Sequence, residues 1–359
     1  MFHSKNIIKK LCQNSSKFPE LNKIKFGNIF SKHILSIDWD INNGWDNPII
    51  QKYDKFNLDP ASSVFHYGFS AFEGMKAYQD LNKEIRLFRP ECNMKRFNKS
   101  SEDLLFPVFN GNELLDCIKE LINIDREWIP NEDGYSLYIR PTIISTDPDL
   151  SVRFPNYCKI FTILSPVGPY YKDGFFPISL LADEKYVRSW PGGTGDKKIG
   201  GNYAPTLKVQ KIANNNGHSQ VLWLNNKKIS EVGTMNIFFI KIKNNITELI
   251  TPRLDGTILP GITRDSIIEL CKYYYPEIIV KEIDYTIDEL INDFENKYIS
   301  EIFGTGTAAV ISPVNKIQYN DNIYETNQSI GFYTKDFYNK LKGIQLGNLE
   351  DPFNWSHII

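Results

Sequence analysis

Long apolar runs are missing from this 359-residue chain. None approaches the roughly 20 residues that a membrane helix needs, so no membrane partner is expected. Charge of one sign is missing too. With 41 Lys and Arg against 43 Asp and Glu the net charge is −2, which offers no broad basic surface to nucleic acid or anionic lipid. Cysteine is sparse: Cys12, Cys92, Cys117, Cys158 and Cys271 are scattered, with no CxxC spacing. That argues against a disulfide framework or a zinc cluster and fits a reducing compartment. The five histidines are equally dispersed, so no metal site is expected. Low-complexity linkers and internal repeats are also lacking.

What is present suits a folded chain. Hydrophobic residues make up 42% and aromatics 13%, enough for a real core, and the length allows two domains. The first 25 residues carry basic residues and no acid before Glu20. They read either as a disordered basic tail or as a mitochondrial presequence, so cytoplasm and mitochondrial matrix both stand. "NELLDCIKELINIDREW" puts Leu114, Leu115, Ile118, Leu121 and Ile122 at helical spacing, and "RPECNMKRFNKSSEDL" predicts a second helix. "GYSLYIRPTIIST" and "CKIFTILSPVG" predict strands. Residues 26–170 are expected to form a small α/β domain and residues 171–186 a connection, since "GPYYKDGFFP" is rich in Gly, Pro and aromatics. Residues 187–359 form the second domain on this reading. It carries hairpin signals at Asn225-Asn226 and Asn244-Asn245, and a Pro-Gly turn feeding a helix in "LPGITRDSIIEL".

Several stretches could carry chemistry. "GGTGDKKIGGNYAP" sets Lys197 and Lys198 in a glycine-rich run ending at Tyr203; it could be a loop, a phosphate cradle, or the seat of a nucleophilic lysine. "FGTGTAAV" matches GxGxxA through Gly304, Gly306 and Ala309. A dinucleotide fingerprint needs a helix next, whereas "AAVISPVNKIQY" is strand-like, so a tight anion-binding turn with the Thr307 hydroxyl fits better. Pro260-Gly261 before a helix start leaves the amides of Ile262 and Thr263 as a second anion seat. Arg96 could fork a phosphate, and Glu231 in "ISEVGTMN" is a carboxylate at a strand edge. Each has an ordinary structural reading when taken alone. A lysine nucleophile, two phosphate seats, a tyrosine and a carboxylate together make a coherent pyridoxal 5'-phosphate site.

The blocks "DPASSVFHYGFSAFEGMKAY", "RLFRPECNMKRF", "SLYIRPTIISTDP", "KIGGNYAPT", "ISEVGTMNIFF", "LDGTILPGITR" and "EIFGTGTAAVISPV", in this order and spacing, resemble the branched-chain amino-acid aminotransferases of the fold type IV pyridoxal phosphate enzymes. The resemblance implies an α/β (α+β) two-domain fold with a smaller N-terminal domain and a larger C-terminal pseudo-barrel domain. It implies that Lys198, in the K-x-G-G-N-Y run, bonds the cofactor aldehyde, with Tyr203 on the cofactor's 3'-oxygen and Glu231 at the ring nitrogen. Thr234 should lie beside cofactor and substrate, Arg96, Ile262, Thr263 and Thr307 should hold the phosphate, and Leu259 should lie against the ring. Arg188 is a further cofactor candidate. The implied substrates are small branched-chain amino acids, glutamate and 2-oxoglutarate. Tyr67, Phe26, Phe72, Tyr138 and Tyr170 are expected around an apolar side chain, and Thr234 and Ala308 at the α-carboxylate. Val152 resembles a residue that reaches into the partner's site, which implies a homodimer. Arg140 is a candidate for the distal carboxylate of 2-oxoglutarate. The thiol pair that some animal members carry after G-T-A is absent; Ala309 and Ser312 stand there. Rival readings are a D-amino-acid aminotransferase, an aminodeoxychorismate lyase, and an NAD-dependent oxidoreductase.

Overall fold

Runs of β-branched and aromatic residues form two long strands, Ser136–Ser145 and Tyr157–Val167, which pair antiparallel from Ser136↔Val167 to Ser145↔Cys158. The computed structural model describes residues 1–12, 18–169, 175–326 and 330–359. Tyr170 and part of the expected 171–186 connection lie outside the described residues. By internal contacts the chain divides into two units. The first comprises Met1–Tyr170, Lys197–Gly201 and Ile344–Ile359; the second comprises Tyr171–Asp196 and Asn202–Gly343.

In the first unit the two long strands are central. The described strands run in the order Ile8–Lys10, Ile49–Lys52, His33–Asp40, Tyr157–Val167, Ser136–Ser145, Met75–Gln79, Ile85–Phe88 and Ser356–Ile358, with Ser70–Phe72 pairing beside Ser136–Ser145. Helices Pro90–Glu102 and Gly111–Ile124 share one core with this sheet. The spacing expected of the second helix holds: Leu114, Leu115, Ile118, Leu121 and Ile122 are all buried. Asn110 starts that helix by accepting hydrogen bonds from the amides of Asn112 and Glu113.

The disordered tail expected at the N-terminus is corrected here. Phe2 is buried in the core against Trp45, and Ile8–Lys10 adds a parallel edge strand to Ile49–Lys52. The acids absent from the first residues come from the helix Gly111–Ile124. Glu113 accepts from the Ser4 amide at 2.6 Å and the Ser4 hydroxyl at 2.7 Å, and Glu120 pairs with Lys9 at 2.6 Å. Composition within the segment could not show partners a hundred residues away.

The second unit holds a mixed sheet ordered Lys228–Val232, Gln220–Asn225, Ile178–Asp183, Val310–Tyr319, Ile299–Gly306, Asn236–Lys243, Ile246–Pro252 and Ile279–Ile283. Its two ends meet. The Ile229 amide donates to the Tyr285 carbonyl and the Ile287 amide to the Lys227 carbonyl, both at 2.8 Å, so the first strand is hydrogen-bonded to the chain that follows the last. This is how the expected pseudo-barrel closes, since a joined edge leaves few unpaired backbone groups. Both hairpins form, the second with left-handed Asn244 and Asn245 at its tip as expected, the first one residue later than expected, with left-handed Asn226 and Lys227 at the tip and Asn225 paired to Lys228.

Candidate functional site

The segment Lys197–Gly201 lies along the strand Ser70–Phe72. Ile199 bridges Ala71, the Phe72 amide donates to the Lys198 carbonyl at 2.9 Å, and the Lys198 amide donates to the Ser100 hydroxyl at 3.0 Å. The two lysines have different surroundings. Lys197 is buried and pairs with Asp103 at 2.9 Å. Lys198 is half-buried, its Nζ 4.9 Å from the centre of the Phe72 ring. A Cβ at Gly200 would meet the Ser70 hydroxyl, which would have to turn away; at Gly201 a Cβ would meet nothing.

Beside Lys198 stands a carboxylate that sequence reasoning missed. Glu73 is 0% exposed. It takes Nε and Nη2 of Arg96 at 2.7 and 2.9 Å, the Asn93 amide at 2.8 Å and the Gly74 amide at 3.1 Å. Burial works against its charge, but Arg96, Lys198 and Asn93 outweigh it and hold the carboxyl below the usual range. Arg96, expected to fork a phosphate, thus forks a carboxylate side-on. The signal for Glu73 was an acid inside the apolar run "FSAFEGMKAY".

Phe26, Phe72 and Tyr138 come together around Arg140. Phe26 meets Tyr138 edge-on at 4.9 Å, and the Arg140 guanidinium lies over Phe72 at 4.7 Å and Tyr138 at 5.2 Å. Arg140 Nη2 donates to the Tyr138 hydroxyl at 2.9 Å, while its buried Nε has no hydrogen-bond partner among the described residues. Lys76, also missed, pairs in register opposite Tyr138 and so shares its face of the sheet. The residue is half-buried, but protein surrounds its amine, and burial pushes the ammonium down to about 8. The Tyr67 hydroxyl donates to the Leu150 carbonyl at 2.5 Å and so ties down the loop that carries Val152, which is 83% exposed.

In the second unit Glu231, 2% exposed, ends its strand inside a set of donors. Arg188 pairs with Oε2 at 2.8 Å, while Asn236 Nδ2 and the Leu259 amide each approach Oε1 at 3.3 Å. Asn236 also donates to the Leu259 carbonyl at 2.9 Å. Next in the chain, Gly261 precedes the helix Ile262–Tyr274, whose start has no side-chain cap. A Cβ on Gly261 would collide with the Asn236 side chain, so glycine is what lets this helix start sit against the Glu231 cluster. The first amides of such a helix lack intrahelical acceptors and carry the positive end of the dipole. Thr263 is buried in this first turn.

"FGTGTAAV" is an antiparallel hairpin, Gly304↔Ser312 to Gly306↔Val310, with Thr307, Ala308 and Ala309 at its tip. No helix follows, which removes the structural basis of a dinucleotide fingerprint. The register Asn236↔Thr305 sets this tip beside the Val232–Met235 turn that exposes Thr234. Tyr203 is half-buried at the entry to the helix Thr206–Asn215, its carbonyl accepting from the Thr206 amide at 3.1 Å. Ser312 is buried. Among the described residues no group of three His, Cys, Asp or Glu could hold a metal.

The profile of the class IV aminotransferases matches residues 70–317. The branched-chain-amino-acid aminotransferase of Dictyostelium discoideum is 44% identical over 98% of this chain and 94% of its own length. The solved branched-chain amino acid aminotransferase of Escherichia coli superposes with a TM-score of 0.74 at 27% identity, covering 91% of this chain and 98% of that one. That of T.th., solved with pyridoxamine 5'-phosphate, superposes with a TM-score of 0.74 at 24% identity over 92% of this chain and 99% of that one, a likeness of fold.

Proposed function

This chain belongs to the class IV aminotransferase family, and from that premise we propose that it is a branched-chain amino-acid aminotransferase dependent on pyridoxal 5'-phosphate. It moves the amino group of L-leucine, L-isoleucine or L-valine reversibly to 2-oxoglutarate in a ping-pong cycle. The observation that carries the chemistry is the contrast between two adjacent lysines: Lys197 committed to Asp103, Lys198 turned toward Phe72 and Glu73.

The residues present fit the cofactor on three counts. A buried carboxylate, Glu231, suits a ring nitrogen that must stay protonated. An uncapped helix start at Gly261 suits a phosphate. A half-buried lysine suits an aldehyde. When bound, the cofactor supplies an aldehyde that accepts and returns an amino group, and a ring that draws electrons from the substrate's α-carbon.

The chain's own groups do the rest. With the cofactor bound, Lys198 Nζ would be the base that takes the α-proton from the substrate and returns it. Glu231 keeps a negative charge at the ring nitrogen, with Arg188 and Asn236 fixing its two oxygens. Tyr203 would hold the cofactor's 3'-oxygen and Leu259 would pack on its ring. The Ile262 amide, Thr263 and Thr307 would hold the phosphate, and Arg96, whose Nε and Nη2 are held by Glu73, keeps the phosphate role that the resemblance implies. Phe26, Phe72 and Tyr138 take the branched side chain, and Arg140, whose Nε has no partner among the described residues, takes the distal carboxylate of 2-oxoglutarate. Thr234 and Ala308 meet the α-carboxylate, a role supported by the adjacent turns that carry them. Tyr67 joins Phe26, Phe72 and Tyr138 around the branched side chain, and Val152, exposed on the loop that Tyr67 ties down, reaches into the partner's site of a homodimer. Five free cysteines support a reducing compartment, cytoplasm or mitochondrial matrix. No described helix is long and apolar enough to cross a membrane.

The test is an absorbance scan of the purified yellow protein during addition of L-leucine and then of 2-oxoglutarate. Loss of the visible band and its recovery are expected. A band unmoved by L-leucine overturns the proposal.

A further inference from the structure

Outside this machinery the first unit contains a thiol, an imidazole and a carboxylate in series. Cys12 Sγ lies 3.4 Å from His33 Nε2, and His33 Nδ1 lies 2.7 Å from Asp125 Oδ1. The order is that of an activated nucleophile: thiol, base, and an acid that orients the base. Asp125 also accepts from the His33 amide at 2.9 Å, so backbone and ring of His33 are both fixed by one carboxylate. With its Nδ1 proton on Asp125, the imidazole turns the lone pair of Nε2 outward, where the Cys12 amide, at 3.2 Å, and the Cys12 thiol share it. Exposure rises along the series. Asp125 is 1% and His33 4% exposed, while Cys12 is half-buried and within reach of solvent. Lys32, next to His33 in the chain, is paired with Glu127.

The other four cysteines show what is particular here. Cys117, Cys158 and Cys271 are buried, and burial pushes their thiols up, to about 12 for Cys117 and Cys271. Cys92 is half-buried on the helix Pro90–Glu102 with no such base among the described residues. A metal role for the three side chains is disfavoured, since they are not among any metal-holding groups of described residues.

We propose that Cys12, His33 and Asp125 form a reactive-thiol site, separate from the transfer chemistry, at which Cys12 forms mixed disulfides with low-molecular-weight disulfides. Cys12 gives its proton to His33 Nε2 and its sulfur attacks one sulfur of the small disulfide. The disulfide's own S–S bond breaks, a new S–S bond joins it to Cys12, and the other half leaves as thiolate. Cys12 sulfur is oxidised, the leaving sulfur is reduced, and the small disulfide is the oxidant. Asp125 is a positioning residue that acts through His33.

The experiment uses the full chain at pH 7 with dithiobisnitrobenzoate, whose released thiolate is coloured, and locates the adduct by mass spectrometry. About one equivalent per chain should react in a fast phase mapped to Cys12, at least about tenfold faster than Cys92 and than Cys12 in the unfolded chain. Cys12→Ser should abolish that phase. His33→Gln and Asp125→Asn should slow it about tenfold or more while the rate at Cys92 stays as it was, a pattern that general loosening would not give. Cys12 reacting no faster than in the unfolded chain, or a fast phase untouched in folded His33→Gln, would overturn the proposal. If His33→Gln does not fold, the comparison of native with unfolded wild type decides alone.

Discussion

Two identical side chains one peptide apart receive different partners in the fold. Lys197 ends on Asp103 and Lys198 beside Phe72 and Glu73. The expected outcome is that Lys198→Ala lacks the visible band of bound cofactor while Lys197→Ala keeps it; spectra of the two purified variants check this. At Glu231, Gln keeps the shape and removes the charge that Arg188 and Asn236 hold in place. Glu231→Gln should still bind the cofactor and lose at least about a hundredfold in kcat, measured with L-leucine at saturation. A near wild-type kcat would remove Glu231 from the ring nitrogen. In the chain it is the resemblance carried by the motif blocks that singles out Lys198 and Glu231. Glu73 is not legible in this way, because what marks it is complete burial against Arg96 and Asn93, and burial is a property of three segments at once.

Among the elements, the edge strand Ile8–Lys10 depends on a carboxylate elsewhere. Glu113 is depressed from 4.5 to about 2, first by the Ser4 amide, then by the Ser4 hydroxyl and His3. A carboxyl lowered on folding stabilises fully above its unfolded value, and that contribution fades as pH falls from about 4.5 toward about 2. Hydrogen exchange over residues 2–10 should therefore accelerate selectively in that acid window, and at pH 7 in Glu113→Gln. Unchanged protection in that variant would show that the strand holds without the carboxylate. In the lysine segment the two glycines are unequal. Gly200→Ala drives a Cβ into the Ser70 hydroxyl, whereas Gly201→Ala meets nothing. The Ser70 hydroxyl must turn away in the first variant, so its denaturation midpoint is expected at or slightly below that of the second, which should be near wild type. Helix and hairpin existence could be read from periodicity and from the Asn-Asn turns. The N-terminal strand could not, since three residues pairing in parallel carry no periodic signal of their own.

For the whole molecule, the specificity prediction follows from the proposal that Phe26, Phe72, Tyr138 and Arg140, which contact one another, receive the substrate side chain. An apolar site separates one methylene from the next by only about 1–3 kcal/mol. L-Leucine, L-isoleucine and L-valine should therefore serve at comparable rates and D-alanine poorly, with no nicotinamide binding; initial rates with each donor and a titration with NADH check this. Faster transfer from D-alanine than from L-leucine would point to the D-amino-acid branch of the fold. The order and spacing of local motifs, the helical periodicities and the turn residues were enough for the sequence to determine the family, the fold class and which lysine to examine, because each is a short-range property of the chain. Three things were decided only by tertiary structure: the grouping of Lys197–Gly201 with the first unit, the clamp of Glu73 on Arg96, and the meeting of Cys12, His33 and Asp125. Each joins residues far apart in the chain, and their contacts exist only once the backbone between them has folded.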